Sequence, residues 1–322
     1  MINNVKSVAS EPKWIKPILI TITLTFLAVF IILPIYTIFS EALRRGIETY
    51  IESIGFASYS DAIAKKDFIE SIKLTFSALS SGFSYYFSAI AENDAFAAIK
   101  LTLLVAVICV PLNTFFGILL AWAISKYDFK GKRILTTMIE APFAISPVIA
   151  GLIFVLLFGA FGWFGAWLSE LNIKIVFALP GLVLASAFVT FPFVAKELIP
   201  LMQELGKDDE EAALTLGAGG LQIFFRVTLP NIKWGVLYGV ILTNARAMGE
   251  FGAVAVVSGL IRGVTMTMPL HIEILYNEYL YSAAFSIASL LTLLSLVTLI
   301  VKYIIEHFIL IQRRNAKKEE GL

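Results

Sequence analysis

Along this chain, long apolar runs alternate with short clusters of charge, and each run is about the length of a bilayer crossing. A spanning helix needs about 20 mostly apolar residues, and six stretches meet that need: residues 17–39, 97–124, 136–158, 175–195, 235–259 and 283–305. Backbone polar groups in hydrocarbon must be satisfied within the segment, which makes such runs helical. The pattern therefore predicts an all-α integral membrane protein with six transmembrane helices. Pro142, Pro147 and Pro192 fall inside otherwise helical runs and predict kinks there, shaping the bundle or serving a gate. The remaining pieces are a leading segment (1–16), a long outer segment (40–96), a loop (196–234) within the core (97–305), and a tail (306–322).

The outer segment carries an apparent internal duplication. Residues 41–54 line up with 77–90, Gly46 falling opposite Gly82, and Ile72-Lys-Leu-Thr75 echoes Ile99-Lys-Leu-Thr102. Both copies read as amphipathic helix, which predicts that each lies on the outer membrane surface. An extra span over residues 68–90 is the weaker reading, because Glu70, Lys73 and a serine-rich face would enter the bilayer.

Composition agrees with the pattern and adds orientation. Of 322 residues, 58% are apolar and 15% charged, with a mean hydropathy of +0.85, against roughly 45–50% apolar in soluble domains. A net charge of +1 leaves no basic excess that would argue for nucleic acid, so the positions of the charges matter more than their sum. Four groups gather on one side of a six-span chain: Lys6, Lys13 and Lys16; Lys126, Lys130, Lys132 and Arg133; Lys196, Lys207, Arg226 and Lys233; and Lys302 with Arg313, Arg314, Lys317 and Lys318. The two short opposite loops hold only Lys174 and Arg262, the long one Arg44, Arg45, Lys65, Lys66, Lys73 and Lys100. The positive-inside rule then predicts both termini in the cytoplasm. The first apolar run is too long for a signal peptide and lacks a small-residue cleavage site, so it is read as a retained span. Cys109, the lone thiol, is a packing residue on this reading.

The loop between the fourth and fifth spans is too long for a simple turn. At its centre, Asp208-Asp-Glu-Glu-Ala-Ala-Leu-Thr-Leu-Gly217 has the features of a short capped helix. Asp208 or Asp209 can accept the orphan amide hydrogen bonds, the acids sit at the positive dipole end, and Gly217 can take the left-handed stop. Ala212 and Ala213 allow close approach and Leu214 and Leu216 offer apolar contact, as a helix presented to a partner's groove requires.

Glu-Ala-Ala, three residues, Gly, nine residues, Ile or Val, one residue, then Leu-Pro is the signature of ABC importer permeases. This chain resembles that family at Glu211, Ala212, Ala213, Gly217, Val227, Leu229 and Pro230. The resemblance implies the type I importer permease fold and a cytoplasmic coupling helix docked in an ATPase subunit. It further implies a homologous second permease subunit and an extracytoplasmic binding protein that delivers substrate. No G-x-x-x-x-G-K-[ST] phosphate loop is present, and Gly217-Ala-Gly-Gly220 lacks the lysine, so ATP and Mg belong to the partner subunit and this chain binds no cofactor. Ala245-Arg-Ala-Met-Gly-Glu-Phe-Gly-Ala-Val254, the stretch to Tyr279, and Phe143-Ala-Ile-Ser-Pro147 are similar to the CysW-type sulfate permeases of the bacterial inner membrane. That similarity runs from about Trp14 to Glu306 and fails over residues 40–96. It implies sulfate or thiosulfate as cargo, with molybdate or tungstate as the alternative.

Arg246 and Glu250 fall near the middle of the fifth predicted span, four residues apart and so on one helical face. A lone charge there costs at least about 2.5–3.5 kcal/mol on insertion scales. The two either pair to hold helices in register or lend Arg246 to an anion path. Ala245, Gly249 and Ala253 form a small-residue stripe suited to close helix packing. His271 and Glu273 lack the further ligands a metal needs. Ser146 and Ser258 lack a nearby base, which weighs against a hydrolase and against enzyme function generally. A secondary anion transporter driven by an ion gradient would want more carboxylates inside the spans than Glu250, and would have no use for the coupling loop.

Overall fold

The structure, a computed structural model, describes residues 15–54 and 68–319, and no β-strand occurs among them. The basic residues Lys6 and Lys13, and Lys65 and Lys66 of the outer segment, lie outside the described residues. Among the described residues four helices are long and apolar enough to cross a membrane, or up to six if each of two sharply bent pairs counts as one crossing. The chain divides into two compact units, Met1–Phe87 with Tyr281–Ser289, and Ser88–Leu280 with Leu290–Leu322.

In the first unit, helix α1 (Ile15–Leu27) passes through a single π turn (Ala28–Ile32) into α2 (Leu33–Ile54). The π turn has a local cause. Pro34 lacks an amide hydrogen and its ring would strike a carbonyl of the preceding turn, and widening that turn lets the helix continue. The first copy of the repeat is consequently an extension of the first span, not the separate surface helix expected from its amphipathicity. The second copy lies in α3 (Phe68–Ala91), which is not among the candidate spans. The aligned glycines meet: a β-carbon on Gly46 would sit 2.4 Å from the Ser81 carbonyl oxygen and 2.7 Å from the Gly82 α-carbon. Aligned Ala42 and Ala78 are both buried, and Ser286 donates to the Ala42 carbonyl at 3.4 Å. The apolar window of the first span has no residue buried within the chain, as for a surface facing lipid or another subunit.

The second unit is the bundle that positions the candidate site. Its axis is α4 (Asn93–Lys126), packed against α8 (Leu179–Thr190), α9 (Pro192–Glu204) and α12 (Leu229–Met248). Val194 on α9 is the point of closest approach. A β-carbon on Gly117 of α4 would lie 2.7 Å from that of Val194, and one on Gly239 of α12 would lie 3.2 Å from its α-carbon. Three backbones converge because two of them lack side chains there. Around this point Ala121, Val194, Leu198, Met202 and Ile232 form one buried cluster. A second, of Val105, Leu182, Val183, Val254, Met266 and Leu270, brings in α13 (Gly252–Ser258) and α14 (Met268–Asn277). Asn113 on α4 donates to the Ala187 carbonyl at 3.0 Å and to Thr190 Oγ1 at 2.7 Å, with Cys109 beside them and buried. This polar group is thus paired across α4 and α8, and Cys109 packs beside Ala187 and Ala247 as expected.

Of the predicted proline kinks, the one at Pro147 is a full break. Helix α5 (Lys132–Ala144) and α6 (Pro147–Phe158) meet at 107°, with Ile145 extended and Ser146 at φ −56° and ψ 133°, outside the helical region that a following proline disfavours. Residues 136–158 are therefore two helices and not one straight span. Pro142 lies within α5 near its end. Pro192 starts α9 while Phe191 stays helical, so α8 and α9 run on together as one candidate span, Leu179–Glu204.

Candidate functional site

The loop signature folds into a compact device. Helix α10 (Asp208–Thr215) is followed by α11 (Gly220–Ile223) and a π turn (Phe224–Thr228) that leads into α12. Gly217 has φ of +84°, its amide donates to the Leu214 carbonyl at 2.9 Å, and the Ala218 amide donates to the Ala213 carbonyl at 3.1 Å. This is the paired hydrogen-bond pattern of a Schellman stop, in which glycine takes the left-handed position without a side-chain clash. The Leu229-Pro230 end of the signature repeats the device at Leu33-Pro34: a π turn absorbs the proline, and α12 continues through it.

The predicted N-cap is a correction. Lys207 occupies the cap position with no side-chain cap, and Asp208 and Asp209 lie inside the first turn. The acids are engaged elsewhere: Asp209 Oδ2 accepts from Asn231 Nδ2 at 3.0 Å and Glu210 Oε1 accepts from Thr228 Oγ1 at 2.6 Å. Glu211, Ala212 and Leu214 face outward, Ala213 is half-buried, and Leu214 and Leu216 expose 63% and 88% of their surface. Two large apolar side chains thus stand exposed beside Ala212 and Ala213. Val227 and Leu229 are half-buried, Leu229 against the Val194 cluster, which anchors the end of the signature to the bundle.

The second predicted set lies at the other bent pair, where α12 and α13 meet at 53°. Helix α12 ends at Met248, so Glu250 stands in the break and not on a continuous helical face. The pair forms nonetheless: Arg246 Nη1 is 2.7 Å from Glu250 Oε2. That contact lies off the hydrogen-bonding direction, leaving Oε2 without a hydrogen bond, while Oε1 accepts the Ala253 amide at 3.1 Å at the start of α13. The Glu250 side chain is 1% exposed and that of Arg246 36%. A buried carboxylate is thus held by one partly exposed guanidinium and one helix N-terminus. The small-residue stripe is also broken: Gly249 is exposed at the bend, whereas Ala253 is fully buried, a β-carbon on Gly151 falling 2.7 Å from its carbonyl. Ala245 is half-buried.

Outside these sets, Arg262 bridges Asp94 at 4.0 Å and Glu278, linking α4 to the end of α14. His271 is buried with Nδ1 3.3 Å from Met266 Sδ and Nε2 unpartnered. Among the described residues no group of His, Cys, Asp and Glu is arranged to hold a metal ion. Four residues that bind the loop to the bundle, Lys126, Glu210, Thr228 and Asn231, were not singled out from the sequence. Glu210 and Glu211 are adjacent and chemically alike, and only the helix phase separates the one that faces inward from the one that faces out.

Residues 113–310 match the family described as binding-protein-dependent transport system inner membrane component. The chain belongs to this family. It is 48% identical over 307 residues to the sulfate transport system permease protein CysW of Escherichia coli K12, covering 95% of this chain and 93% of that one. It is 52% identical over 297 residues to CysW of Synechococcus elongatus, covering 92% and 91%. To CysT of Escherichia coli K12 it is 39% identical over 197 residues, 61% of this chain and 71% of the other. A solved bacterial ABC transporter for import of the acidic polysaccharide alginate shares the fold, with a TM-score of 0.65 at 16% identity over 92% of this chain and 94% of that one. These relatives are transport permeases, not enzymes, and the chain is a multi-pass membrane subunit of the same kind.

Proposed function

We propose that the chain is one permease subunit of an ATP-driven importer that brings sulfate or thiosulfate across the cytoplasmic membrane. The observation that carries this is its relation to CysW permeases at 48% and 52% identity over more than nine-tenths of both chains. On this reading it pairs with a second, homologous permease, as the lower similarity to CysT supports, and receives its anion from an extracytoplasmic binding protein. An ATPase subunit carries ATP and Mg, and α10 docks in a groove of that subunit through Glu211, Ala212 and Ala213. The exposed Leu214 and Leu216 and the left-handed stop at Gly217 support that role. The excess of lysine and arginine on one side supports cytoplasmic termini. The Arg246–Glu250 ion pair supports a structural reading of those charges over an open anion path, because the guanidinium is already engaged.

The test is uptake of labelled sulfate by proteoliposomes holding the permease pair, the ATPase and the cognate binding protein. ATP-dependent uptake suppressed by excess thiosulfate and unaffected by molybdate is expected. Uptake that molybdate suppresses and thiosulfate does not would overturn the substrate assignment.

A further inference from the structure

Two other chain segments meet at one carboxylate on α10. Glu210 Oε2 lies 3.1 Å from Nζ of Lys126, the last residue of α4, and Glu210 Oε1 accepts the Thr228 hydroxyl at 2.6 Å, just ahead of α12. Lys126 also donates to the carbonyl of Gly206, in the turn that follows α9. One helix turn away the Asp209–Asn231 hydrogen bond ties α10 to α12 a second time. The Lys126 and Glu210 side chains are 9% and 18% exposed, far less than a surface ion pair. The cleft that they line with Met202, Leu205 and Ile232 keeps only about 10 Å³ of free volume, room for one water at most. Shielded from water in this way, the pair is screened less than an exposed ion pair.

The contacts form a three-way clamp. Glu210 points into the bundle while Glu211, one residue on, points out, so the face of α10 that grips the spans is separate from the face left free for a partner. We propose that Glu210 is the positioning residue that couples α10 to the bundle, passing a displacement of α10 through Lys126 to α4 and through Thr228 to α12. This rests on the reading of α10 as the ATPase-docking helix. Asp209–Asn231 alone would join α10 to α12 with no side-chain contact from α10 to α4.

The experiment uses the full assembly in nanodiscs and proteoliposomes, with ATPase co-purification, binding-protein-stimulated ATP hydrolysis and sulfate transported per ATP as readouts. Lys126→Met and Glu210→Gln should keep the ATPase subunit bound while sulfate moved per ATP falls about tenfold. Lys126→Arg, which preserves the pair, should keep at least half of the wild-type ratio, and the charge swap Lys126→Glu with Glu210→Lys should recover a large part of what either reversal alone loses. A merely structural contact would lower assembly yield and leave the transport-to-hydrolysis ratio of the surviving assemblies unchanged, which would overturn the proposal. An unchanged ratio in both single variants, or a swap as poor as the two reversals combined, would overturn it equally. Ala212→Trp, on the outward face, separates this from the docking reading. If it releases the ATPase while Glu210→Gln has no effect, the clamp alone is wrong; if it too has no effect, the docking reading fails.

Discussion

Replacing Arg246 with methionine should be the most damaging single change in the bundle, and the structure gives the reason. The Glu250 carboxylate is 1% exposed and has two partners, Arg246 at 2.7 Å and the Ala253 amide at 3.1 Å. Removing the guanidinium strands a buried charge, a loss of about 3–5 kcal/mol when one member of a buried pair is deleted. Glu250→Gln is milder, because Arg246 is 36% exposed and can be solvated, while the amide oxygen of glutamine can still accept from Ala253. A loss of about 1.5–3 kcal/mol is expected, the scale of a hydrogen bond to a charged group. The double variant removes both charges and should lie closer to Glu250→Gln than to Arg246→Met, which requires a coupling energy of at least about 2 kcal/mol. Thermal midpoints of the purified complex in nanodiscs read this at about 2–4 °C per kcal/mol for a unit of this size. Equal and fully additive losses would refute the pairing. A stable Arg246→Met complex that has lost only uptake would instead favour the anion path.

Packing and protonation supply two further tests. Gly117→Ala puts a β-carbon 2.7 Å from that of Val194 and should cost about 1–3 kcal/mol of stability; thermal melts of the variant against wild type check this, and a neutral Gly117→Ala would contradict the close approach. Burial, with the nearby Arg262 cation second, holds the His271 imidazole below its ordinary range, against weaker upward pulls from Asp94, Glu92 and Glu278. The folded form thus binds the proton less readily than the unfolded one, so the contribution is complete above about pH 6.5 and is lost as pH falls below it. Melting from pH 7.5 to pH 5 should show a decline that His271→Gln flattens, and parallel profiles for the two proteins would refute the assignment.

The elements that could be read from the sequence are those governed by local rules. Apolar run length marked each of the four unbroken candidate spans, and the Gly217 stop follows from spacing alone, because a left-handed position after a short helix selects glycine. The failures came where a long-range partner decides a side chain's role. Asp208 and Asp209 have the chemistry of caps, but Asn231, 22 residues after Asp209, holds the second of them instead. Periodicity assigned Glu250 to a helix that stops two residues earlier, since a glycine and an ion pair in the break are invisible to a hydropathy window. The repeat predicted two surface helices, whereas π widening ahead of Pro34 lets the first copy continue a span. Glu210 escaped notice among four acids in a row, its inward phase being fixed by Lys126, 84 residues away.

The central claim, that α10 passes the work of ATP hydrolysis to the spans, is tested most directly by ATP hydrolysis of the purified assembly with and without loaded binding protein, for wild type, Gly217→Val and Ala213→Trp. Valine at φ of +84° costs about 1–2 kcal/mol and misplaces the helix stop, and tryptophan blocks the close approach that Ala213 allows. The account predicts that both variants insert and fold near normally but lose stimulated hydrolysis and uptake together. Full ATPase attachment with coupled uptake in both would contradict it.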